Sequence, residues 1–192
     1  MLRQAQHERM LGPDGYNADV RIALVSDTHG LTDPKLPELF QGCERVLHAG
    51  DIVTTPVLDT LERIAPVTAV RGNNDVAPSF DRLPETVCLP VEELRLFMIH
   101  DLGDRVRPRP RAGAALARER PHIVVHGHSH RPGALLHAGR LFVNPGSAGP
   151  RRFTLPRTAA ILTVAGRRAH VAFFELSGER PAPHGPVFET EL

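Results

Sequence analysis

Lysine is all but missing from this chain: Lys35 is the single one, and arginine supplies the rest of the positive charge. We read that bias as genome composition, without functional content. Cysteine is scarce too. Cys43 and Cys88 stand far apart and form no CxxC pair, which argues for free thiols and against a disulfide framework. No apolar run approaches the ~18 residues of a membrane span. The stretch from Met1 to Asp19 has no apolar core of a secretory signal, so a cytoplasmic protein is expected. Charge is balanced, 23 Lys+Arg against 22 Asp+Glu for a net +1, which removes any global electrostatic case for nucleic acid or membrane as partner. There are no internal repeats. At 192 residues and 41% hydrophobic the chain suits one globular domain. We expect a polar arm over 1–20 (with Met10 as an alternative start), a single domain over 21–176, and a Pro/Gly-rich, weakly ordered tail over 177–192.

The pattern of apolar runs and turn residues predicts the elements. Arg21 to Ser26 reads as a strand, and Pro34 to Phe40 as a helix capped by Asp33. A strand follows over Arg45 to His48, a helix from Thr54 or Thr55 to about Arg63, and a strand over Pro66 to Val70. This β-α-β-α-β order implies a parallel sheet covered by helices. The second half reads as hairpins. Thr86 to Pro90 pairs with Leu94 to Ile99, Leu135 to His137 with Leu141 to Val143, and Ala159 to Val164 with Ala169 to Leu176. A helix around Ala112 to Glu119 and a strand Ile123-Val124-Val125 lie between.

That last strand runs into His126-Gly127-His128-Ser129-His130. A core strand gains nothing from three imidazoles at its end, whereas neutral imidazole is a strong ligand for Zn, Mn, Fe or Ni. Taken alone, the cluster could equally be a set of hydrogen-bonded histidines. The rest of the chain favours metal. Asp27 and His29, Asp51, Asn73, His100, and His128 and His130 each follow an apolar strand. Strand C-termini in a sheet with helical crossovers share one rim, where such folds bind ligands. Seven nitrogen and oxygen ligands from five segments are too many for one ion. A pair of ions ~3.5–4 Å apart would account for the number.

The series Asp27-x-His29, Gly50-Asp51, Gly72-Asn73, His100 and Gly127-His128-x-His130 resembles the calcineurin-like metallophosphoesterases. Ser26-Asp27-Thr28-His29-Gly30, Val70-Arg71-Gly72-Asn73 and Asn144-Pro145-Gly146-Ser147 resemble their small prokaryotic, YfcE-like phosphodiesterase branch. The match runs from about Arg21 to Arg152. The resemblance implies an α/β fold, an αββα four-layer sandwich. It also implies Asp27, His29 and His130 on one ion, Asn73, His100 and His128 on the other, and Asp51 shared. The expected cofactor is two divalent ions, Mn first, with Ni, Fe or Zn as alternatives. The expected activity is a phosphodiesterase or phosphatase, in which hydroxide held between the ions attacks phosphorus in line. The alternative is a protein-binding scaffold with little or no catalysis, like the retromer subunit of this fold. The expected partner is a small-molecule phosphate ester; nucleic acid as substrate and self-association stay open, and no membrane is involved.

The catalytic candidates are Asn73, Asn74, His128 and Arg71. Asn74 stands where the wider superfamily often has histidine and the branch cysteine, and an amide cannot transfer a proton near neutral pH. Asp101 replaces a usual glycine, and Leu102 a common second histidine. Asp101 is expected to hydrogen-bond a neighbouring imidazole. The run Arg105-Val106-Arg107-Pro108-Arg109-Pro110-Arg111 reads as an extended loop or as an anion clamp; Arg105 and Arg107 are the substrate-binding candidates. His48 and His126 are expected to support the site, and His7, His122, His137, His170 and His184 to lie on the surface.

Overall fold

The computed structural model describes residues 19–192, so the proposed arm and the alternative start at Met10 fall outside it except for Asp19 and Val20. The first half forms β1 (Val20–Val25), α1 (Leu36–Leu39), β2 (Arg45–His48), α2 (Thr55–Glu62) and β3 (Val67–Ala69). β1 pairs with β2 and β2 with β3, both parallel, as the alternation of strand and helix requires. The first helix is one turn, shorter than expected. Asp33 Oδ1 accepts the Lys35 amide at 2.9 Å, and this turn comes before Leu36 opens the helix.

The second half holds β4 (Thr86–Val91), β5 (Leu94–Ile99), α3 (Pro110–Glu119), β6 (Ile123–His126), β7 (Gly133–His137) and β8 (Arg140–Asn144). These are followed by β9 (Thr158–Ala165), β10 (Arg168–Glu175), β11 (Ala182–Pro183) and β12 (Phe188–Glu191). The three hairpins form as expected, but the centre of the second sheet does not follow from them. Its order is β4-β5-β6-β8-β7, with β5, β6 and β8 mutually parallel. β9 and β10 instead cross to the first sheet, whose order is β11-β10-β9-β1-β2-β3, with β12 also on β10. The segment after Ser177 is therefore strand-paired where the sequence suggested a weakly ordered tail.

Four layers result. Alternate residues of β1 face opposite ways, which is why Ile22 to Val25 is apolar throughout. Ile22 and Leu24 join Leu96, Met98, Ile123 and Val125 in the core between the sheets. Ala23 and Val25 pack with Leu36, Phe40, Val57 and Leu61 of the first helix layer. On the far side, Phe97 and Val124 meet Ala112, Ala115 and Leu116 of α3. The C-termini of β1, β2 and β3 are thereby brought to the same rim as those of β5, β6 and β8.

Candidate metal centre

Main-chain hydrogen bonds tie the loops of that rim together. Asp27 N–H donates to Gly50 O and His29 N–H to Asp51 O, both at 3.0 Å, and Gly127 N–H donates to His100 O at 3.0 Å. The loop after β8 is joined through Ala148 N–H to Ser26 O at 3.1 Å and Ser147 Oγ to Asp27 O at 2.8 Å. Five of the seven candidate ligands adopt the left-handed region: Asp27 (φ 53°), His29 (45°), Asp51 (57°), His128 (68°) and His130 (56°). Such residues cost on the order of 1–3 kcal/mol each and persist only where surroundings over-determine them. Two glycines show how tight the setting is. A Cβ on Gly127 would overlap Ser26 Oγ and come within 2.7 Å of Asp27 Oδ2; one on Gly72 would overlap Asp51.

All seven side chains meet. His130 Nε2 is 3.2 Å from Asp27 Oδ1 and 3.4 Å from His29 Nε2. On the other side, Asn73 Oδ1 lies 3.1 Å from His100 Nε2 and 3.0 Å from His128 Nδ1. Asp51 stands between, with Oδ2 3.9 Å from His29 Nε2 and Oδ1 3.4 Å from His100 Nε2. Asp27 also reaches both sides: one compact donor group is Asp27, His29 and His130, the other Asp27, Asp51 and His100.

These groups fit divalent ions. Asp27 Oδ1 is buried and makes no well-formed hydrogen bond, although His130 Nε2 lies 3.2 Å away, a costly state for a carboxylate oxygen unless a cation sits against it. His100 Nδ1–H donates to Ala49 O at 2.7 Å, which turns the lone pair of Nε2 toward Asn73 and Asp51. Burial opposes charge on His100, yet the hydrogen bond to Asp51 and the charges of Asp27 and Asp51 raise its pKa. Burial likewise works against ionised Asp51, but His100 and the Asn74 donors hold its carboxyl well below the usual range. The cluster attracts positive charge, which a metal supplies without a proton.

Several supporting residues escaped the sequence reading. Asp75, fully buried, accepts four main-chain N–H groups: Ile52 and Val53 on Oδ1, both at 2.7 Å, and Asp51 at 3.0 Å and Gly72 at 2.8 Å on Oδ2. It fixes the loop that carries Asp51 to the loop that carries Asn73. In sequence it looks like any turn aspartate. Ser26 Oγ donates to Asp27 Oδ2, and His128 N–H donates to the same oxygen at 3.0 Å. Asn144 donates to Gly127 O at 2.9 Å and Ser129 Oγ at 3.0 Å, clamping the histidine turn. His48 and His126 are the supports expected from the sequence, and His48 accepts Gly50 N–H on Nδ1 at 3.2 Å, which leaves its proton on Nε2, 2.9 Å from Thr28 Oγ1. Full burial pushes its pKa down to about 3. His126 is buried beside Asn144 and Arg105, and burial lowers its pKa to about 4.

The profile of the calcineurin-like phosphoesterase superfamily domain matches residues 20–167. The chain belongs to that superfamily. A probable metallophosphoesterase of Methanothermobacter thermautotrophicus is 31% identical over 157 residues, covering 77% of this chain and 87% of the relative. Among solved structures, vacuolar protein sorting 29 of Cryptosporidium parvum superposes with a TM-score of 0.75 at 20% identity, covering 91% of this chain and 99% of that one. An archaeal phosphodiesterase gives 0.58 at 22%, covering 76% and 99%. Those structures speak for the fold. Membership makes this protein a metal-dependent phosphoesterase of the αββα type.

The remaining candidates fall in different places. Arg71 lines a cleft of about 650 Å³ beside Asn73 and His100, with Nε on Asp75 O at 3.1 Å and Nη1 3.3 Å from Asp81. Asn74 does not line the cleft but faces the centre itself: its amide and side chain donate to Asp51 at 2.8 and 2.6 Å. Asp101 lies 3.9 Å from His128 Nε2 and pairs with Arg109 at 2.9 Å. Arg105 and Arg107 do not line the cleft; Arg109 and Arg111 do. The turn at Asp104, whose Oδ1 accepts the amides of Val106 and Arg107, reverses the loop and leads the later pair to the site.

Proposed function

We propose that this phosphoesterase is a phosphodiesterase that works with two divalent ions, Mn foremost. One would be held by Asp27, His29 and His130, the other by Asn73, His100 and His128, with Asp51 between them. The meeting of the seven side chains from five loops carries this reading. Bound there, such ions lower the pKa of the attacking water and bind the phosphoryl oxygens. The chain's own part is placement. Ser26 and the His128 amide hold Asp27, and Asn74 and the Asp75 cradle hold Asp51. Asn73, His128 and Arg71 face the reacting phosphoryl group, where fixed donors steady developing charge. Asn74, committed to Asp51, is not a proton donor for the leaving oxygen, so esters with good leaving groups should react best.

Turnover of bis(4-nitrophenyl) phosphate against 4-nitrophenyl phosphate, together with bound metal by mass spectrometry, tests the reading. The diester should react faster, chelation should abolish turnover, and Mn should restore it better than Mg, which prefers oxygen ligands. Asp51→Asn should lose both metal and rate. Full turnover of Asp51→Asn would refute the shared position. A metal-loaded chain inert toward both esters would support the scaffold reading instead.

A further inference from the structure

The cleft beside the candidate centre has a second pole. Asn73 and His100 line it at the metal end. Asp101, directly after His100, holds Arg109 by Nε at 2.9 Å. Arg111 Nη1 lies 3.9 Å from Glu85, and Glu85 precedes β4, whose Thr86 is the register partner of Ile99 on β5. β4 is the outer strand of its sheet, so Arg111 reaches toward the outer strand and Arg109 toward the strand that ends at His100. The cations thus step outward from the metal end, Arg109 and then Arg111. The wall beside them is apolar and small: Ile99, with Ala112 and Ala115 of α3.

Asp101 holds Arg109 through Nε, on the side of the guanidinium, which leaves its Nη pair to face a ligand, and Arg111 is in no strong pair. The Arg111–Glu85 contact is long, with the two side chains 93% and 80% exposed, and exposed pairs contribute little. The guanidinium forks are therefore open to an anion of better geometry, and planar bidentate recognition of phosphate is what arginine does best. A volume of about 650 Å³ lies within the ~300–1,000 Å³ of small-ligand sites. It admits more than a bare phosphoryl group.

We propose that the cleft selects phosphate esters bearing a second phosphoryl group, separated from the reacting one by a compact, partly apolar unit such as a nucleoside, and that Arg109 and Arg111 bind that second group. This rests on the phosphoesterase reading, and assigns to Arg109 and Arg111 the clamp role that the sequence suggested for Arg105 and Arg107.

Calorimetric binding of thymidine 5′-monophosphate and thymidine 3′,5′-bisphosphate to the Mn-loaded full chain tests it without turnover. The bisphosphate should bind about tenfold more tightly, as one charge-assisted contact in water allows. The ratio should approach one in the double variant Arg109→Gln, Arg111→Gln. Arg105→Gln with Arg107→Gln should keep the wild-type ratio. Equal affinities in the wild type, or an advantage that survives the first double variant, would overturn the proposal. If the monophosphate binds and is lost on chelation while the bisphosphate has no advantage, this proposal alone fails. If neither ligand binds, the phosphoesterase reading fails with it.

Discussion

Asp75→Asn isolates the support of the centre from its chemistry, because Asp75 is not among the candidate ligands yet holds two ligand loops. Its carboxylate accepts N–H groups of Asp51, Ile52, Val53 and Gly72 at 2.7 to 3.0 Å, two on each oxygen. An asparagine of the same shape keeps one acceptor oxygen. Its NH2 group would face two N–H donors, leaving both without a partner in a site with no solvent exposure. A buried donor left unsatisfied costs about 1–3 kcal/mol, so the loss should be about 2–6 kcal/mol, a large part of a typical domain's ~5–15 kcal/mol. The segment has no slack to absorb it, since Asp51 (φ 57°) and Val53 (φ 73°) already occupy the left-handed region. Urea unfolding of the chelated wild type and variant measures the loss, and Mn titration should show weakened affinity as Asp51 loses its frame. A change below about 1 kcal/mol would refute this account of the four bonds.

Gly127→Ala should act on the opposite wall: its methyl would overlap Ser26 Oγ and crowd Asp27 Oδ2. Overpacking of this kind costs about 1–3 kcal/mol, and the metal content of the purified variant should fall; undiminished content would show that the turn can shift freely. His48 predicts the acid side of the stability curve. Its folded pKa of about 3 lies below the ordinary 6.5, so between these values the unfolded chain binds a proton that the folded chain refuses. Stability should fall on acidification by ~1.4 kcal/mol per pH unit from this residue, or ~2 kcal/mol from pH 6.5 to 5. Chelated wild type and His48→Gln, compared at the two pH values, should differ by that slope; parallel curves would exclude His48 as its source.

The sequence by itself determined the strands and where the polar residues interrupt them. Runs such as Ile22 to Val25 are apolar on both faces because β1 is covered on both faces there, and that demand is written locally. Asp27, Asp51, Asn73, His100 and His128 could be located because each follows such a run, and the structure brings them together at strand C-termini. Only the tertiary structure decided which loop carries which side chain where. The parallel pairing of β5, β6 and β8 joins strands far apart in sequence, and hairpin turns do not encode it. Asp75 reads as a turn residue until the Asp51 loop is laid against it. Asn74 reads as a donor for substrate until its main-chain amide and its side-chain Nδ2 are found on Asp51. Arg105 and Arg109 are indistinguishable in a proline-spaced run, and it takes the reversal at Asp104 to send one toward His126 and the other into the cleft. The tail after Ser177 is rich in turn formers, yet β10 offers it a free edge. Local propensity cannot register a partner supplied by another part of the chain.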